Sequence, residues 1–195
     1  ASLNVSRPSV REAIRGLAIL GVVVTRQGGG AYISELDVQA LLAPIQFYLS
    51  LEESNVRQLY EARSLIESDV ARRAAVLMDD DAFAALEAEL AAQAGMESDP
   101  EAFRLSDFRF HEAIWQGARN AFLKRIGESL NTVGLDFRRR ASETPGVLKQ
   151  SMRDHRILLD ALKARDPEAA AAAAAQHMNN VYASTIAQSD NGMKS

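Results

Sequence analysis

Cysteine is absent from this chain, which rules out disulfides and thiolate metal sites and fits a reducing cytoplasm. Histidine is scarce, at three residues: His111, His155 and His177. No apolar run approaches the roughly 18 residues of a membrane-spanning helix, so no membrane partner is expected. The first residues, Ala1-Ser2-Leu3-Asn4-Val5-Ser6-Arg7, lack the apolar stretch of a signal peptide. A glycine-rich phosphate loop and a nucleophile elbow are both missing. His111-Glu112 continues as Ala113-Ile114-Trp115, so it does not make the H-E-x-x-H of a zinc protease. Nor is there a basic surplus: the formal net charge of −4 argues against a body coated in nucleic acid. What is present, 47% hydrophobic and 25% charged residues over 195 positions, suits one sizeable core, or one domain with a smaller second one.

The average charge hides an asymmetry. Residues 1–34 carry Arg7, Arg11, Arg15 and Arg26 against Glu12 alone, a net +3 that leaves −7 for the remainder. A basic N-terminal piece on an acidic body implies that only the first part meets an anionic partner. Ser6 can cap a helix with Pro8 in its first turn. Val10, Ile14 and Leu17 would form its buried stripe, and Arg7, Arg11 and Arg15 another face from which Glu12 points away. Gly21 should stop this helix. Residues 22–26 then read as a strand, Gln27-Gly28-Gly29-Gly30 as a tight turn and residues 31–33 as the returning strand. A helix followed by a glycine-tipped hairpin is the second half of a winged helix-turn-helix.

Over residues 35–190 helical periods take over. A first helix is expected over 37–51, with Leu41, Leu42, Ile45, Tyr48 and Leu49 on one side and a kink at Pro44. A second, over 54–78, would be capped by Ser54 and striped by Leu59, Ala62, Ile66, Val70 and Ala74. Others start at Asp79-Asp80-Asp81, run from Asp99-Pro100 to Gly117, and cover 120–140 and 147–164. The last starts at Asp166-Pro167 and ends near residue 188, and its alanine tract at 169–175 favours helix and close approach of neighbours. The expected fold is mostly α: a partial winged helix-turn-helix over 1–34, then an antiparallel bundle of about seven helices.

The three histidines fall on three of these helices. His111 follows Asp107 by one turn, and an i, i+4 pair projects from one helix face as metal ligands do. All three histidines can be read as metal ligands, but taken singly each is better explained as an ordinary polar position on an amphipathic helix, and only a meeting of the helices would decide. Arg138-Arg139-Arg140 reads as a solvated helix end.

Two resemblances bear on this. The run Val5-Ser6-Arg7-Pro8-Ser9-Val10-Arg11-Glu12-Ala13-Ile14 resembles the recognition helix of GntR-family regulators, with the proline one position early, and Gly28-Gly29-Gly30 is similar to that family's wing. The resemblance implies that Arg7, Arg11 and, less strongly, Arg15 face operator DNA together with the wing backbone at Gly28 and Gly29. It also implies that the DNA-reading unit is cut short here and that the 195-residue form binds DNA poorly. The second resemblance rests on Asp107-x-x-Phe110-His111, Asp154-His155-Arg156-x-Leu158-Leu159, Asp166-Pro167-x-x-Ala170 and Gln176-His177-Met178. Together these are similar to the FCD ligand-binding domain of the FadR-like GntR branch. That implies a divalent metal held by Asp107, His111, His155 and His177, whose free positions accept a small carboxylate effector.

Three imidazoles and one carboxylate suit zinc first, with nickel, iron and manganese as alternatives. Arg63 matches a cavity-facing arginine of that branch and would grip the effector; a surface salt bridge with Glu67 at i+4 is the other reading. Asn131, mid-helix between Gly127 and Gly134, is a further effector-binding candidate. The implied function is a cytoplasmic, dimeric transcriptional regulator, a repressor, answering to a small carboxylate, with sugar acids, lactate-like hydroxy acids and dicarboxylates all fitting. Its competitors are a metalloenzyme acting on a small organic acid, and a regulator whose metal is structural or is itself the signal.

Overall fold

A computed structural model describes residues 5–19, 22–26, 28–33 and 53–192. The helix expected over 37–51 and its kink at Pro44, the boundary at 34/35 and the stop at Gly21 lie outside these residues. The N-terminal unit comprises α1 (Arg7–Ile19) and the hairpin β1 (Val23–Arg26) and β2 (Gly30–Ile33). Ser6 caps α1 as expected, its hydroxyl accepting the Ser9 N–H at 3.3 Å. The strands pair antiparallel in the register Val23↔Ile33 to Arg26↔Gly30. Gly28 and Gly30 take φ of 75° and 91°, left-handed values that favour glycine at the tip. Two expectations fail here. No residue of α1 is buried: Val10 and Leu17 are each 39% exposed and Ile14 is half-buried, because among the described residues the main packing partner of this helix is the short strand β1. Glu12 does not point away from the arginines; its carboxylate accepts from Arg15 at 2.9 Å.

The body contains, among the described residues, seven helices: α2 (Glu53–Leu77), α3 (Asp80–Gln93), α4 (Pro100–Gly117), α5 (Ala121–Val133), α6 (Leu135–Ser142), α7 (Val147–Lys163) and α8 (Pro167–Gly192). Most of the starts are written in the sequence. Asp79, Asp99, Asn120 and Asp166 each accept main-chain N–H groups of the following turn and satisfy donors the helix leaves over. α2 begins at Glu53, one residue ahead of Ser54, the expected start. The long central α2 packs most extensively on α8, and α8 also on α7. Val70, Ala71, Ala74 and Ala75 on α2 and Ala170, Ala171, Ala173 and Ala174 on α8 are all buried, so short side chains let these two helices approach closely. Leu86, Phe110, Trp115, Leu158, Leu159 and Leu162 complete the core around them.

Two details correct the periodic reading, and both shape the site. Ala62 is exposed; the buried row of α2 runs Val56, Leu59, Tyr60, Arg63, Glu67, Val70, so a charged pair sits where apolar residues were expected. The single helix expected over 120–140 is two, broken at Gly134, where helix propensity is low. That break turns Arg138 inward. Its side chain is 12% exposed and meets Asp107, while Arg139 and Arg140 remain exposed as a helix end.

Candidate metal and effector site

Asp107 and His111 come from α4, His155 from α7 and His177 from α8, and packing of these helices brings the four together. One ligand atom from each lies within 4.8 Å of every other. Nε2 of His111 and Nε2 of His177 are 3.2 Å apart, and Asp107 Oδ1 is 3.3 Å from His155 Nε2 and 3.8 Å from His111 Nε2. Donor atoms each about 2.1 Å from one ion stand roughly 3–4 Å apart, so the separations fit a single cation. All three imidazoles are at most 4% exposed.

The surrounding shell decides which nitrogens face inward. His155 gives its Nδ1 proton to Gln93 Oε1 at 2.9 Å, and its ring stacks on Phe110 with centroids 4.4 Å apart. His177 gives its Nδ1 proton to Asp154 Oδ2 at 3.3 Å. Asp154 is itself fixed by Gln150 Nε2 at 2.8 Å and by Asn180 Nδ2 at 2.9 Å. Both rings therefore present a bare Nε2 to the centre of the cluster, the state a metal requires. His155 Nε2 is buried without a hydrogen-bond partner, its lone pair facing the Asp107 carboxylate. A lone pair against a carboxylate is unfavourable unless a cation lies between them, so the residues present fit a divalent ion.

Electrostatics point the same way. Burial works against a charge on Asp107, yet its basic surroundings, the Arg138 guanidinium among them, outweigh it and hold the carboxyl well below the usual carboxylate range. Burial pushes His111 well below its ordinary value, despite the opposing pull of Asp107. It also lowers His177, against the hydrogen bond to Asp154. An anionic Asp107 beside His111 and His177 rings that burial keeps from protonating suits metal binding.

Asp107, His111 and His177 open onto a cleft lined further by Arg63, Arg104 and Arg138. Arg63 is 1% exposed, and its pairing with Glu67 at 3.7 Å is a buried contact, not a surface one. Its Nε and Nη1 have no acceptor. Glu67 also accepts from Trp115 Nε1 at 2.7 Å; burial raises its pKa, though Arg63 and Trp115 work against the rise. Asn131 is buried with its amide oxygen unpartnered but does not line the cleft; its main-chain oxygen accepts from Arg138 Nη2 at 2.9 Å. Arg138, Arg104, Gln93 and Asp154 were missed by sequence reasoning. Asp154 carried a faint signal as the neighbour of His155; the others carried none. At the other end of the chain Arg7 and Arg11 are exposed on α1, and Gly28 and Gly29 form the exposed hairpin tip.

Comparison with known proteins resolves the class. The FCD domain model matches residues 58–180, more than half of the chain and all four cluster residues, and the model of bacterial regulatory proteins of the gntR family matches residues 1–33. The chain belongs to the GntR family and carries an FCD domain. LutR, a helix-turn-helix-type transcriptional regulator of Bacillus subtilis, is 29% identical over 92% of this chain and 84% of its own. The galactonate operon transcriptional repressor of Escherichia coli is 26% identical over 87% and 76%. Among solved structures, a Streptococcus agalactiae GntR protein superposes with a TM-score of 0.63 at 26% identity, covering 93% of this chain and 83% of that one. E. coli McbR/YncC shares the fold, with a TM-score of 0.65 at 20% identity over 96% and 88%. This GntR protein is thus a transcriptional regulator and not an enzyme; the metalloenzyme alternative falls with these matches. Among the described residues no helix is long and apolar enough to cross a membrane.

Proposed function

We propose that this GntR regulator is a metabolite-responsive repressor of the cytoplasm, acting as a homodimer on a palindromic operator. Residues 1–34 form its DNA-reading unit and residues 35–190 its sensing unit. Asp107, His111, His155 and His177 hold a divalent metal, zinc in the first instance, which when bound supplies open positions to an anionic oxygen. The observation that carries this reading is His155 Nε2, buried and unpartnered against Asp107 at the edge of an arginine-lined cleft. Arg63, with two donors free, orients a small carboxylate, hydroxy acid or sugar acid there. Arg7, Arg11 and Arg15, with the wing backbone at Gly28 and Gly29, contact DNA. Pairing with Glu12 makes Arg15 the weakest of these. Effector capture favours one arrangement of the bundle over another and thereby shifts operator affinity. The name of the galactonate operon repressor among its relatives supports both repression and a sugar acid.

A thermal-shift comparison of chelator-stripped and Zn²⁺-loaded protein, with and without small organic acids and repeated on His155→Ala, tests the proposal. Metal should raise the melting temperature, an acid should raise it further, and His155→Ala should lose both gains. Metal stabilisation that survives His155→Ala would refute the site. Stabilisation by metal but by no acid would leave the metal as the signal.

A further inference from the structure

We propose that the effector carries two anionic groups, a hydroxy dicarboxylate being the fitting class, and that Arg104 is the specificity-determining residue that receives the second. This rests on the effector reading above and deepens it. Arg104, Asp107 and His111 stand at i, i+3 and i+7 of α4, on one helix face, and all three line the cleft. Arg104 thus lies about one helical turn, roughly 5 Å, beyond the metal-binding carboxylate along the same wall.

The charges of the cleft do not balance without a ligand. Its lining holds three arginines and a single carboxylate, Asp107. Arg138 is answered by Asp107 at 3.3 Å and Arg63 by Glu67 at 3.7 Å. Arg104 meets no carboxylate among the described residues. Its Nη1 donates at 3.0 Å to Ser142 Oγ, a neutral hydroxyl whose own proton goes to the Arg139 carbonyl at 2.7 Å. Ser142 is buried and fixes the half-buried guanidinium at the cleft wall, where Phe103, Leu148 and Met178 lower the local polarity. A fixed, unneutralised guanidinium beside apolar side chains is a carboxylate receptor. The metal and Arg63 serve the first anionic group, and Arg104 serves another about one turn away.

L-malate and L-lactate form a matched pair for the test, since malate is lactate with a carboxylate in place of one methyl hydrogen. Calorimetry on the Zn²⁺-loaded chain should show malate binding at least about tenfold tighter, as one added charge-assisted contact gives. Arg104→Gln should bring malate to the level of lactate while leaving lactate within about twofold, and Arg104→Lys should restore part of the preference. Equal binding of both acids by the parent protein, or a preference that survives Arg104→Gln, overturns the assignment of Arg104 and leaves the effector reading intact. Binding of neither acid overturns both. Equal binding of the two acids by the parent overturns the assignment even where Arg104→Gln does not fold, and Arg104→Lys then carries the residue-level test.

Discussion

Replacing Asp154 by alanine tests how far the cluster depends on a residue that does not belong to it. Asp154 is 4% exposed and accepts from His177, Gln150 and Asn180. Its removal takes the acceptor from His177 Nδ1 at 3.3 Å, so the ring loses both its tautomer and its aim, and Nε2 no longer points steadily at the site. The loss of such an orienting partner lowers metal affinity by about 10–100-fold, or roughly 1.4–2.8 kcal/mol. A second cost falls on the metal-free fold, because the buried His177 Nδ1 proton loses its acceptor, at about 1–3 kcal/mol, whereas the half-buried Gln150 and Asn180 can turn to water. Asp154→Asn keeps an oxygen for His177 and should fall between the parent and Asp154→Ala. The assay is a Zn²⁺ competition titration against a chromophoric chelator, with melting curves of the metal-free variants alongside. Zn²⁺ affinity of Asp154→Ala within twofold of the parent would show that the hydrogen bond to Asp154 does not set the ring and would defeat the argument.

Two further outcomes follow from the packing and the protonation states. A Cβ on Gly127 would stand 2.8 Å from Trp115 Cε2, and Trp115 is fully buried and tied to Glu67, so Gly127→Ala should destabilise by about 1–3 kcal/mol and lower Tm by several degrees; an unchanged Tm would refute the close approach. His111 and His177 are held below the ordinary value of 6.5, so the unfolded chain binds protons that the folded protein refuses; metal-free stability should be full above about pH 6.5 and decline as pH falls below it, and urea midpoints that stay flat or rise on acidification would contradict the burial of these rings.

Much of this molecule is legible residue by residue. Caps at Asp79, Asp99, Asn120 and Asp166 are local hydrogen bonds spanning two or three residues, and the glycine-tipped hairpin is equally local. The three histidines stand out by their scarcity, helical repeat sets Asp107 one turn before His111, and the resemblance to FCD domains makes Asp107 the fourth member of the set. Most helix starts and the hairpin are legible in the sequence because each depends on neighbours a few positions away; the ligand set also needed the family resemblance. Tertiary structure decided what those ligands face. Gln93 reaches His155 across 62 positions and Arg138 reaches Asp107 across 31, contacts that no periodicity encodes. The break at Gly134 redirects Arg138 from solvent to the cleft, and the packing of α2 turns Arg63 and Glu67 into the core where Ala62 was expected. A charge inside a protein is set by its partners, and partners are chosen when helices pack.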